Sequence, residues 1–383
     1  HILIVVVQSK QEAGVLLYPP SAFFQPLIAA AFGCSREDIG MLVIVAATDP
    51  SGQHIQGPIN AECFVQVLGY LRCFLEGVVH VRFHLPRTIE TGSGNAPSKN
   101  KGFEAQFTSR NIVGNFQWST DFNFATNTNE VKKLGNEGDP ILVNGAAGLR
   151  HITRVGDAIG SYYGYEVVGI FQTQQEIDSA PEDLQGNPTP GDFQFRDVNE
   201  DGVIDAGDRT ILGNYQPDYT WGITNRFNWK NIDFSFFFQG VEGREVLNLT
   251  ARHLKNGEAN FGSYAVLNDR WISPENPGNG NHPKAERASG GNNNRASSYQ
   301  VEDGSYIKLK NVTLGYSLPQ SLIGSFAQSI RIYGSATNVG IWTDYIGFNP
   351  EVNLQPGSGL TPGEDYGAYP LSRAFQFGID ISF

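Results

Sequence analysis

The residues best suited to chemistry lie in one stretch, Gly191 to Gly213, GDFQFRDVNEDGVIDAGDRTILG. Asp197, Asn199 and Asp201 occupy alternate positions, Gly202 follows, and Asp205 and Asp208 complete a twelve-residue frame in the D-x-N-x-D-G order of a calcium loop. Side-chain oxygens at that spacing are hard ligands and the carbonyl of Val203 adds another, so the expected ion is Ca²⁺. Gly202 supplies the sharp turn, and Ile204 is placed to pin the loop to packing beneath it. Asp208 stands where the EF-hand pattern has Glu. Its shorter side chain makes bidentate ligation harder and the expected affinity weaker. The flanks lack a helical pattern, so no EF-hand fold is implied.

No catalytic constellation accompanies this loop. His151, His253 and His282 are isolated, serine never occurs in G-x-S-x-G, and the aspartates do not read as two carboxylates flanking a cleft. The protein is therefore not expected to be an enzyme. Cys34, Cys63 and Cys73 show neither C-x-x-C nor the His spacing of a zinc site. A net charge of −12, with no run of Lys and Arg among the aromatics, argues against nucleic acid as a partner. Flat rings on exposed loops can stack on sugars, which makes Tyr162, Tyr163, Tyr165, Trp271, Trp342 and Tyr345 the candidate substrate contacts; loop packing is the competing role for each.

The elements that position these groups are strands. No segment offers the roughly 20 consecutive apolar residues of a membrane helix. Alternation, however, is regular from Asn100 onward. Phe103, Ala105 and Phe107 alternate with Glu104, Gln106 and Thr108, and Phe116, Trp118, Thr120, Phe122 and Phe124 alternate with Gln117, Ser119, Asp121 and Asn123. A second hairpin joins TWGITNRFNW to IDFSFFFQ through Lys230-Asn231, with Trp221, Ile223, Phe227, Trp229, Ile232, Phe234, Phe236 and Phe238 on one face. In SYIKLKNVTLGYSLP the parity slips near Lys310-Asn311, as a β-bulge would produce. SIRIYGSATNVGIW and a last strand ending at Phe383 complete seven strands.

Short connections (111–115, 230–231, 317–328) strictly alternate with long ones (126–217, 240–304, 343–371). Outer-membrane barrels have this asymmetry, with short periplasmic turns and long extracellular loops. The reading is an all-β chain, a partial antiparallel transmembrane β-barrel whose acidic loop lies in an extracellular connection. Asp121, Arg226, Asp233 and Asp380 then face the lumen, and a hydrated pore wall is favoured for them over substrate contact.

Residues 1–99 read differently, holding every Cys, the single Met and four of seven His. They are left unassigned among irregular barrel strands, a small α/β region and a reading-frame error upstream of Asn100, the last ranked first because the style changes abruptly. The first residue, His1, suggests a fragment or a processed product.

Across 100–383 the chain resembles the C-terminal barrel portion of the SusC/RagA-like TonB-linked outer-membrane transporters. NKGFE (100–104), HITRVGDAIGSYYGYEVVGIFQTQQEI (151–177), the acidic loop at 191–213, YIKLKNVTLGYSLP (306–319), TDYIGFNPEV (343–352) and FQFGIDISF carry the likeness in family order. The resemblance implies a large barrel in the cell outer membrane, closed around a plug, lidded by a SusD-like surface lipoprotein and energised by TonB, importing oligosaccharides or peptides. The TonB contact belongs to a plug that this chain lacks, and seven strands fall short of the roughly 22 of large transporters, so the segment is expected to need further barrel strands. Phe383 closes an alternating strand of the kind that signals outer-membrane assembly. The alternative is a secreted, calcium-stabilised β-sandwich that binds carbohydrate.

Overall fold

The computed structural model describes the backbone of residues 3–8, 13–18, 42–48, 64–73 and 77–91. From 98 to 383 it describes all atoms except residues 146–149, 256, 258–262 and 286–291 and the side chain of 150. The irregular reading of residues 1–99 falls largely outside the described residues.

One sheet of twelve strands dominates. Its first five are β1 (Leu3–Gln8), β2 (Ala13–Tyr18), β3 (Leu42–Thr48), β4 (Phe64–Cys73) and β5 (Gly77–Thr91). The other seven are β6 (Ser98–Ile112), β7 (Phe116–Val131), β8 (Tyr219–Trp229), β9 (Ile232–Glu242), β10 (Tyr306–Ser317), β11 (Ser329–Trp342) and β12 (Ala374–Ser382). The spatial order is β2-β1-β3-β4-β5-β6-β7-β8-β9-β10-β11-β12, so from β3 onward each strand pairs with the next in sequence. All of these pairings are antiparallel. Among the described residues the sheet is open, with β2 and β12 at its edges.

The seven strands expected from alternation are β6 to β12, and the register confirms the faces. Phe227 lies opposite both Trp118 and Phe234, and Ile223 opposite both Phe122 and Phe238, so the apolar rows of three strands coincide. The ring of Phe227 stacks on Phe116, Trp118 and Phe234 with centroids 5.8–6.2 Å apart. The expected bulge is present. Phe237 pairs with Asn311 and Phe238 with Leu309, leaving Lys310 as the extra residue that switches parity.

Trp229, Leu314, Ile332, Phe375, Phe377 and Ile379 on this face are all exposed. A sandwich would have covered that row with a second sheet, so the alternative of a secreted β-sandwich is set aside. A polar interruption of this face around Asn225 is internally satisfied, as hydrocarbon requires. Asn225 Oδ1 accepts from Trp118 Nε1 at 2.9 Å and Thr120 Oγ1 at 2.7 Å, and Asn111 Nδ2 donates to Thr120 Oγ1 at 2.8 Å.

The opposite face carries ion pairs. Arg226 meets Asp121, which also accepts from Thr108 Oγ1 at 2.9 Å. Arg331 reaches both oxygens of Asp233 at 2.9 and 2.6 Å and lies 3.2 Å from Asp380. That bridge crosses Gly315, where a Cβ would come within 2.4 Å of Asp233 Oδ1, so a side chain there would displace the pair. All four charged residues expected on the lumen wall are thus paired, with Arg331 as a counter-ion that alternation along single strands does not identify.

Candidate functional site

The long connections 132–218, 243–305 and 343–373 gather at one end of the sheet and fold against one another. Four short strands of the first connection, Ile141–Asn144, Arg150–Thr153, Ser161–Tyr165 and Arg209–Gly213, form their own sheet. Glu245–Asn248 of the second pairs with Val301–Asp303 and with Glu364–Asp365 of the third. Most of the buried apolar side chains of the described residues lie in this body, including a cluster of Tyr165, Ile170, Phe193, Phe195, Ile204 and Trp271.

Polar contacts lock the connections together. His151 and Glu364 are both fully buried, 2.9 Å apart, and the other ring nitrogen of His151 lies 3.1 Å from the carbonyl of Gly160. Arg295 donates to both oxygens of Asp183 at 2.9 and 2.8 Å, and Lys284 pairs with Asp192 at 2.9 Å. Glu351 fastens the third connection to the wall. Burial works to raise its pKa, but hydrogen bonds from Lys308 Nζ at 2.6 Å and the Tyr306 hydroxyl at 2.8 Å hold it below the usual carboxylate range.

The acidic loop sits on this body and is tied by its own backbone. Asp197 accepts from the amides of Glu200 and Gly202 at 2.7 and 2.8 Å, Asn199 from Asp201 at 3.1 Å, and Asp201 from Val203 at 3.0 Å. Gly202 has φ of 85°, a left-handed turn in which glycine is unstrained. Asp208 is fully buried and accepts from Val198 N at 2.8 Å and Asp205 N at 2.7 Å. Ile204 is buried in the cluster beneath. Among the described residues no three His, Cys, Asp or Glu side chains stand in a metal-holding group. The loop thus has the ligand set and turn of a calcium loop, with its carboxylates directed onto amides.

The candidate sugar platforms separate sharply. Tyr162 is 1 % exposed and donates to the carbonyls of Glu245 and Gly363 at 3.1 and 3.3 Å. Tyr165 is buried with Arg209 and Arg295 over its ring, and Trp271 is buried with Nε1 donating to Gln172 at 3.0 Å. Tyr345 is buried, donates to Asp365 at 2.6 Å, and has its hydroxyl pKa pushed up first by burial and then by Asp365. These four rings offer no free face for a sugar, because the loops that carry them form a core.

Trp342 is exposed, yet it ends β11 opposite Ile307 on the apolar row, 6.2 Å from Phe238, in a girdle position. Tyr163 is half-buried. Among the described residues of the long connections, the exposed aromatics are instead Phe348, Tyr366 and Tyr369, the last 91 % exposed. The run YGAYP at 366–370, with Gly367 at φ 83° and Pro370 behind it, is the signal that could have found two of them.

No family model matches the chain. TonB-dependent receptor P3 of Formosa agariphila is 39 % identical over 296 residues, 74 % of this chain and 29 % of that protein. TonB-dependent receptor SusC of Bacteroides thetaiotaomicron is 26 % identical over 316 residues, 80 % of this chain and 28 % of that protein. The chain is a SusC/RagA-like TonB-dependent receptor segment. It spans less than a third of the length of these curated relatives. Among solved structures, the RagAB peptide importer in its open-open state superposes over 100 % of this chain and 38 % of its own, with a TM-score of 0.58 at 18 % identity. The RagAB peptide transporter gives 0.60 at 17 %. At that identity the likeness establishes the fold alone, antiparallel wall strands of a β-barrel.

Proposed function

We propose that the chain forms part of the wall and the outer mouth of a TonB-energised outer-membrane importer of oligosaccharides or peptides. One observation carries this reading. The three long connections after residue 131 leave the same end of the sheet and pack into one body above a wall that is apolar on one face and ion-paired on the other. A SusD-like surface lipoprotein over the mouth and TonB acting through a plug supplied by the rest of the receptor complete the proposed assembly. Cargo contact is assigned to Tyr163, which is half-buried, and to Phe348, Tyr366 and Tyr369, which are exposed. The test is growth of a strain relying on the complete receptor, with oligosaccharides or peptides as sole nutrient. Uptake of one class that is lost when TonB is removed supports the proposal, whereas uptake of neither, or uptake indifferent to TonB, overturns it.

Ca²⁺ is proposed for the acidic loop. An amide hydrogen bond uses one lone pair of a carboxylate and leaves others for a hard cation, so Asp197, Asn199, Asp201, Asp205 and Asp208 with the carbonyl of Val203 would have to converge on the ion from the amide-tied arrangement seen here. The ladder beside the loop takes the carbonyls of Gly202 and Ile204, not that of Val203. Bound Ca²⁺ would brace the mouth; calorimetry on the complete receptor showing no heat with Ca²⁺ would remove the assignment. Phe383, exposed at the end of the last strand, is the proposed assembly signal. Its deletion is expected to lower the outer-membrane level of the receptor, and unchanged assembly would count against that role.

A further inference from the structure

The connection between β10 and β11 behaves unlike an ordinary surface turn. Residues 318–329, LPQSLIGSFAQS, carry no charge. A single helical turn, Gln320–Ile323, is anchored by Ile323 and Ala327, both buried, which close the end of the hairpin. Leu322 and Phe326 point the other way in exposure, at 72 % and 68 %. Phe326 does not stand alone: its ring meets that of Phe383 edge to face at 5.8 Å, and the amide of Gln328 donates to Ser382 O at 2.7 Å, fixing the turn to the base of the last strand. Large apolar side chains held rigidly outward on an uncharged segment need an apolar occupant.

The neighbouring row names that occupant. On the wall, Tyr316 lies opposite Ile332 and Ile332 opposite Ile379, with Ile381 next along, all exposed on the bilayer face. Phe383 continues the same parity, and Phe326 packs on it beyond the last ladder pair, Ser329 with Ser382. The turn therefore prolongs the lipid-facing band past the ends of the strands. We infer that the 318–328 turn is an interfacial anchor, seated with Leu322, Phe326 and Phe383 in the phospholipid of the periplasmic leaflet. Amphipathic segments that bury an apolar face at the headgroup and acyl boundary are held by that burial. Here the buried Ile323 and Ala327 set the seating depth, because they prevent the turn from swinging away from the wall.

This inference rests on the barrel-wall reading, and the experiment separates the two. In the complete receptor in its native membrane, the photo-crosslinker benzoylphenylalanine, an aromatic close in shape to the residue it replaces, is placed at position 326, at 379 in the lipid-facing row and at 369 on the outer mouth. Illumination is expected to give phospholipid adducts at 326 in a yield similar to that at 379 and roughly tenfold above that at 369. Lipid adducts at 379 with a protein adduct at 326, or with none, overturn the anchor: the turn then docks a protein or stands in water. Absence of lipid adducts at 379 as well would instead remove the wall reading on which the anchor depends.

Discussion

The wall and the mouth of this segment solve opposite problems with the same residue types. In the wall, Phe377 and Ile379 stand exposed because the solvent there is hydrocarbon, and the ladder between strands pairs the backbone polar groups. In the mouth, Phe193 and Tyr162 are each 1 % exposed, and cross-loop ion pairs such as Asp183 with Arg295 fasten irregular chain. A phenylalanine is thus a solvent-facing group in one region and a core group in the other. The difference teaches that long barrel loops can together build a packed body with a core of its own.

The comparison breaks most visibly under truncation. Phe193→Ala removes a fully buried ring and is expected to destabilise the mouth by about 3–5 kcal/mol, seen as protease cleavage within 132–218 at lower urea. Phe377→Ala removes a ring 88 % exposed on the wall, and a change within about 0.5 kcal/mol is expected in detergent, with heat-modifiable gel migration unaltered. Equal losses at the two positions would mean that the mouth has no core of its own.

Next in size are the ties between connections. His151→Ala removes one hydrogen-bond partner of the buried Glu364 and is expected to cost about 1–3 kcal/mol. Faster amide exchange in both 150–165 and 364–365, with β8 and β9 unchanged, would show that the pair couples the first connection to the third. Asp208→Ala deprives the amides of Val198 and Asp205 of their acceptor, a loss of about 1–3 kcal/mol. Its effect should be confined to exchange in 197–208.

The wall is largely legible in the amino-acid sequence, and the mouth is not. A period of two assigns each side chain to a face, so the seven strands, their turns and the extra residue at Lys310 follow from parity. Arg331 does not, because its pairing with Asp233 depends on register across β9, β10 and β11. In the mouth, contacts such as His151 with Glu364 join residues 213 apart, and no periodicity announces them. Tyr162, Tyr165, Trp271 and Tyr345 read as exposed platforms only while their loops are assumed to be solvated. Once three loops share a core, aromatic residues are its natural filling.

The smallest expected effect is a pH response confined to the mouth. His282 has its pKa lowered, first by burial and then by the Lys255 ammonium, with Asp269 opposing. Its Nδ1 lies 2.7 Å from the Tyr299 hydroxyl, which donates to the carbonyl of Lys255 at 3.2 Å. Because the folded pKa lies below the unfolded value, the unfolded chain takes the proton first, and the stability held above the unfolded pKa is lost as pH falls through the folded one. Glu245 works in the opposite sense. Burial raises its pKa, so its contribution is full in acid and is lost as pH rises. Protease resistance of 264–300 should therefore decline on acidification below the ordinary histidine range of about 6.5. His282→Gln, which keeps a polar partner for Tyr299, should flatten that decline while leaving the wall strands indifferent to pH over the same interval. A decline of equal slope in the variant would assign the response to carboxylates of lowered pKa, such as Glu351, instead.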